Sequence, residues 1–182
     1  MKRVFAIALA TVFITATGFA QKGNNQVGGG LDLSFPTGDF STGFKTGFGL
    51  YAKGLYGVGT AGQVTFTTGY STFKMKGSTS DFKMTMGIIP LLVGYRHYYQ
   101  GFFAEPQIGY GIYRAKVKTD IGELEGFEGT DSEGAFTWAL NAGYIFQEKF
   151  EAGIRFQNGH KDGTGIGMFG IRLGYNFAVG SK

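Results

Sequence analysis

From Gln26 onward, apolar residues recur at every second position, in segments of about ten residues separated by clusters of Gly, Ser, Asp and Lys. An alternation of period two places successive side chains on opposite faces of an extended chain. The pattern therefore predicts strands, and no stretch after residue 21 carries the helical period. Eight strands are expected, at residues 26–35, 46–58, 62–73, 85–98, 102–116, 134–146, 149–157 and 165–177. One face of this set holds Leu31, Phe48, Leu50, Phe66, Leu91, Val93, Ile108, Trp138, Ile154, Ile171 and Leu173, none of them charged. The other face mixes many glycines with Asp32, Lys53, Arg96, Glu105, Glu151, Arg155 and Arg172.

In water the apolar face would have to be inside, giving a lipocalin-like barrel around a greasy cavity. In a bilayer it faces lipid, and the polar face fills the lumen. Aromatics on the apolar face concentrate near strand ends (Phe35, Tyr56, Tyr95, Phe102, Tyr144, Phe146, Tyr175 and Phe177 among them), as interfacial girdles require. The polar face combines charges of both signs with glycine, which suits a narrow packed lumen better than a wet surface. The strand lengths match the 9–11 residues a tilted strand needs to cross a membrane. The fold class expected is all-β, a closed eight-stranded antiparallel transmembrane β-barrel. Breaks after even strands are short (Gly59-Thr60-Ala61, Gln100-Gly101, Gln147-Glu148), whereas those after odd strands are longer, notably Lys116 to Glu133. Short turns at one end and long loops at the other place both termini in the periplasm. Eight strands enclose room for side chains and little more, so no wide pore is expected.

The first twenty residues change the picture of the compartment. Met1-Lys2-Arg3 is a short positive region, an apolar run follows from Val4 to Phe13, and Gly18-Phe19-Ala20 offers small residues before Gln21. That is the layout of a cleaved secretory signal over 1–20, leaving 21–182 as the barrel domain. Thr11, Thr15, Thr17 and Gly18 leave the apolar core too short for a spanning helix. Without Lys2 and Arg3, the 17 basic residues against 13 acidic ones fall close to balance, which gives no electrostatic case for nucleic-acid binding. The 33 glycines come without a G-X-Y repeat, excluding collagen. The absence of Cys excludes a disulfide scaffold, a CxxC zinc site and a thiol nucleophile.

Three further segments carry a resemblance. The opening Leu33-Ser34-Phe35-Pro36-Thr37-Gly38-Asp39-Phe40, the strand Ile89-Pro90-Leu91-Leu92-Val93-Gly94-Tyr95-Arg96 and the ending Gly174-Tyr175-Asn176-Phe177 resemble the small outer-membrane β-barrel family of Gram-negative bacteria, which includes OmpX and the membrane domain of OmpA. The resemblance covers the whole mature chain. It implies residence in the bacterial outer membrane as a monomer among outer-membrane lipid and lipopolysaccharide. It also implies delivery by the barrel-assembly machinery, with Tyr175 and Phe177 resembling the aromatic last-strand signal read by that machinery. Here Ala178-Val179-Gly180-Ser181-Lys182 follows, where the family usually ends on the aromatic.

Little else points to chemistry. Gly57-Val58-Gly59-Thr60-Ala61-Gly62 and Gly165-Ile166-Gly167-Met168-Phe169-Gly170 match GxGxxG, but the first is a hairpin turn and the second lies within a strand. A dinucleotide site needs that loop to open a helix. His160, in Gln157-Asn158-Gly159-His160-Lys161-Asp162, is expected in the fourth outer loop, where a lipid A-modifying enzyme would pair His with Ser. No Ser is near it in sequence. His97 is expected on the lipid face beside a periplasmic turn. Asp120, Glu123, Glu125, Glu128, Asp131 and Glu133 make the third outer loop acidic, with no EF-hand spacing. The seven inward charges are the most informative set, because buried ions must be paired. A two-residue turn at Gln100-Gly101 pairs Tyr99 with Phe102 and hence Arg96 with Glu105, near the periplasmic end. Lys53, Arg155, Arg172 and Asp32 should lie at about mid-height. The expected function is a non-enzymatic outer-membrane barrel, without cofactor or metal, whose loops meet an extracellular partner and which contributes to envelope integrity. The alternatives are a narrow porin-like channel and a lipid A-modifying enzyme.

Overall fold

A computed structural model describes residues 25–58, 61–78, 82–119, 127–161 and 164–179. The segment 1–20 expected as a signal, the loop acids Asp120, Glu123 and Glu125, and the C-terminal residues 180–182 lie outside the described residues. The elements run β1 (Gln26–Thr37), α1 (Asp39–Gly43), β2 (Gly47–Gly57), β3 (Gly62–Lys74), β4 (Phe82–Tyr99), β5 (Phe102–Thr119), β6 (Phe127–Phe146), β7 (Phe150–Lys161) and β8 (Thr164–Ala178). Each strand pairs antiparallel with the next, and β8 returns to β1, closing an eight-stranded barrel. The closing seam runs from Gln26 opposite Ala178 to Thr37 opposite Gly167. Closure leaves no open sheet edge around the barrel, the condition for placing strands in lipid.

The period-two pattern sets which side chains face out. Leu31, Phe48, Leu50, Ile108, Leu140 and Leu173 are exposed on the outer wall, while Asp32, Ser34, Lys53, Thr65, Thr67 and Arg172 are buried inside. Aromatics ring the wall at the end that holds the short turns and both described chain ends. There Phe102 packs on Tyr144 at 5.0 Å, Tyr144 on Phe146 at 4.8 Å, and Phe150 on Tyr175 at 4.9 Å between ring centroids. The turn at Gln100-Gly101 has positive φ at both residues (50° and 85°), the geometry of a two-residue hairpin turn.

Three features depart from the sequence reading. A short helix, α1, does form beyond residue 21, between β1 and β2. Lys116–Glu133 is not loop throughout: β5 continues to Thr119 and β6 begins at Phe127, in register as far as Thr119 opposite Phe127. His160 belongs to β7, opposite Phe136 and Gly165, and not to a loop. Because β7 starts its pairing with β6 only at Phe136, the stretch 127–135 of β6 projects beyond that neighbour. With β4 and β5 it forms a three-stranded extension above the loop end.

Candidate functional site: the filled lumen

The barrel interior is packed in three tiers. Nearest the turn end, Lys53, Arg96, Glu105 and Glu151 converge from β2, β4, β5 and β7. Arg96 donates from Nε to Glu105 Oε2 at 2.5 Å, and from Nη1 and Nη2 to the two oxygens of Glu151 at 2.6 and 3.1 Å. Lys53 Nζ bridges the same two carboxylates, at 3.2 Å to Glu105 and 3.3 Å to Glu151. Two cations and two anions thus share one buried box, in which Arg96 and Glu105 are both 0% exposed. The remaining acceptors are filled too. Glu105 Oε1 accepts from Thr65 Oγ1 at 3.0 Å and Gln107 Nε2 at 2.5 Å, and Glu151 Oε2 accepts from Asn176 Nδ2 at 3.3 Å. The Phe103 ring lies 3.9 Å from the Arg96 guanidinium carbon, adding a cation–π contact.

The middle tier carries Asp32, Arg155 and Arg172. Arg172 Nε donates to Asp32 Oδ2 at 2.9 Å, Ser34 Oγ donates to Asp32 Oδ1 at 3.0 Å, and the Tyr51 ring covers the Arg172 guanidinium at 4.3 Å. Arg155 differs. It donates to Gln107 Oε1 at 3.0 Å, to Asn141 Oδ1 at 3.3 Å and to Gln157 Oε1, and has no carboxylate partner among the described residues. Arg172 also reaches Asn141 Oδ1, at 3.5 Å, so one amide oxygen serves two guanidinium groups. In the register, Arg155 stands opposite Gly170 and Arg172 opposite Gly153.

The loop-end tier is apolar. Phe40 of α1 turns inward and joins Phe73, Ile88, Tyr113, Ala135 and Met168 in one buried cluster, with Phe44, Met86 and Ile166 packed against it. Phe40 meets Phe44 and Phe73 at 4.8 and 5.1 Å between ring centroids. The connection after β1 is therefore folded into the mouth of the barrel. It is fastened there by Lys45 N–H to Lys74 O at 2.9 Å, Lys76 N–H to Gly43 O at 2.8 Å, and Lys76 Nζ to Ser41 O at 2.6 Å.

All seven inward charges lie inside, and Arg96 meets Glu105 as expected. Lys53, expected at mid-height with Asp32, Arg155 and Arg172, instead reaches down to Glu105 and Glu151 and completes the box at the turn end, while the other three sit above it. The parts that sequence reasoning did not supply are the rings stacked on the guanidinium groups, the amides that share the hydrogen bonding, and the apolar mouth. Strand parity already puts Tyr51, Phe103, Gln107, Asn141 and Asn176 inward, so extending the register from the Gln100-Gly101 turn would have brought the first two tiers together. Phe40 lies outside any strand and gave no such signal. Tyr175 and Phe177 sit on the outer wall of β8, 4.6 Å apart between centroids. Among the described residues, no group of three or more His, Asp and Glu side chains could hold a metal ion.

A closed eight-stranded barrel with an apolar wall, aromatic ends and an ion-paired interior defines an outer-membrane barrel. Residues 5–177 match the family described as outer membrane protein beta-barrel domain, and the chain belongs to that family. Solved structures of similar fold include Ail, the attachment invasion locus protein of Yersinia pestis, in complex with the heparin analogue sucrose octasulfate, at 14% identity, TM-score 0.65, and 86% and 100% coverage of this chain and that one. The N-terminal β-barrel domain of Pseudomonas aeruginosa OprF is similar at 15% identity, TM-score 0.55, and 86% and 100% coverage. Neisserial surface protein A is similar at 16% identity, TM-score 0.53, and 86% and 97% coverage. No curated protein matches the chain.

Proposed function

We propose that this protein is a non-enzymatic, non-conducting barrel of the outer membrane that displays a rigid surface for interaction and contributes to envelope integrity. The observation that carries the reading is the filled lumen: three tiers of buried side chains occupy the interior, and the first connection closes its mouth. What remains available to a partner is the loop end, where β4, β5 and β6 project past the barrel rim. Loops and extensions on a rigid scaffold are the usual seat of recognition. Ail, by its name an attachment protein, has the same fold, which supports a surface role without specifying a ligand. The export signal over 1–20, periplasmic termini, assembly through Tyr175 and Phe177, and a monomeric state belong to the same proposal. His160 has Phe136 and Gly165 as its cross-strand neighbours, neither of which carries a nucleophile. The test is electrical. Purified protein inserted in planar bilayers should give no discrete conductance steps, and regular steps would replace this reading with the narrow channel.

A further inference from the structure

Methionine is confined to one end of the molecule. The sequence has five, and the four among the described residues, Met75, Met84, Met86 and Met168, all lie on the inner face at the loop end. The exposed apolar wall uses Leu, Val, Ile and aromatic residues and no Met. Met168 is buried in the mouth cluster, the ordinary use of a flexible side chain as a filler. The other three are half-buried and gather on one hairpin. Met86 faces Phe73, Thr85 faces Lys74, and one step further Met75 N–H donates to Met84 O at 3.0 Å. Strand parity turns Met75, Met84 and Met86 to the same side as the buried Phe73 and Ile88. The apolar cluster reaches Met86 but not Met75 or Met84, so filling that core does not account for them.

We propose that Met75, Met84 and Met86 form a three-thioether site for Cu(I). Directly opposed residues have Cβ atoms ~5 Å apart, and alternate residues of one strand lie ~7 Å apart. Each Sδ sits two flexible bonds beyond its Cβ, so three sulfurs can meet at one ion without a shift of the backbone. The remaining cross-strand neighbours are Phe44 beside Met75, Val117 beside Met84, and Phe73 and Ala115 beside Met86. None offers the oxygen or nitrogen that hard and borderline dications need. Thioethers are soft and uncharged, which selects Cu(I) over Zn(II) or Mg(II). Lys74, Lys76 and Lys83 alternate with the methionines on the opposite face, and they repel a divalent ion twice as strongly as a monovalent one. This ligand class is distinct from the groups of His, Asp and Glu that are absent among the described residues.

The site does not depend on which end of the barrel faces outward. Protein refolded in non-ionic micelles, its folded state verified by heat-modifiable migration, is titrated anaerobically with Cu(I) against a chromophoric Cu(I) chelator. One Cu(I) per chain should be withdrawn from the chelator. The affinity should hold from about pH 8 to about pH 5, because a thioether takes up no proton where imidazole does. Met75→Leu, Met84→Leu and Met86→Leu, which keep the apolar volume, should each weaken binding at least about tenfold, and Met168→Leu should not. X-ray absorption at the copper edge should find sulfur neighbours. Failure of the wild-type protein to take one Cu(I), or nitrogen and oxygen neighbours in place of sulfur, overturns the proposal without any variant. Loss of affinity on acidification overturns it in favour of a histidine site. Undiminished binding by the folded single variants overturns the residue assignment, as does equal weakening in Met168→Leu. Displacement of Cu(I) by an equal concentration of Zn(II) overturns the selection of a soft ion.

Discussion

At the scale of single residues, backbone proximity and charge pairing make opposite demands, and both can be tested by substitution. A Cβ added at Gly30 would fall 2.0 Å from Leu173 O and 2.6 Å from Gly174 Cα, main-chain atoms that cannot swing aside. At Gly54, on the neighbouring strand, nothing lies within 4 Å. Gly30→Ala should therefore lower stability by about 1–3 kcal/mol, whereas Gly54→Ala should stay within about 0.5 kcal/mol, read from urea unfolding in micelles. In the ionic box the bond lengths rank the partners. Arg96 holds its carboxylates at 2.5 and 2.6 Å, and Lys53 holds the same two at 3.2 and 3.3 Å. Arg96→Ala should cost about 3–5 kcal/mol, the range for breaking a buried pair, and Lys53→Met less. Arg96→Ala combined with Glu105→Ala should lose less than the two single changes added together, because each single change strands the other's charge. Strict additivity in that cycle would mean that the two side chains do not meet.

At the scale of elements, the strands were legible because lipid on one side and packed side chains on the other enforce alternation, which is a sequence signal. Where the wall leaves lipid, that signal stops although the ladder does not. Lys118 outside, with Thr130 and Ser132 on the neighbouring strand, read as loop, yet β5 and β6 stay paired to Thr119 and Phe127. The same reason hid the end of β7 around His160. The short helix α1 spans five residues, less than two turns, so no periodicity could reveal it. The inward Phe73, Ile88 and Met168 broke the expectation of a polar lumen, because Phe40 arrives from outside the strands to cover them. Phe40→Ala should cost up to about 3–5 kcal/mol by leaving a hole in that cluster, and should expose residues 38–46 to limited proteolysis. It should not open a conducting path, since the ionic box lies below and does not depend on it. The orientation of the elements follows from labelling. A Cys at Thr130 should react with an impermeant maleimide on intact cells and a Cys at Lys149, in a turn at the opposite end, should not.

At the scale of the whole molecule, one feature of the closed barrel governs how it can come into being. Seven of the strand junctions join neighbours in sequence, but the seam joins Gln26 to Ala178, and Val179 N–H donates across it to Asn25 O at 2.7 Å. Local hairpins close small loops at little entropic cost, while the seam must wait until nearly the entire chain is in place. Folding into bilayers should thus show hairpin formation running ahead of a single slow zipping step. Gly30→Ala, placed at the seam, should retard that step, and Gly54→Ala, away from it, should not. Until it is complete the growing sheet has two raw margins, β1 and β8, each able to recruit a foreign strand. A catalyst of insertion therefore has one obvious task here, to hold the β8 margin, with Tyr175 and Phe177 on its lipid-facing side, until β1 arrives to replace it.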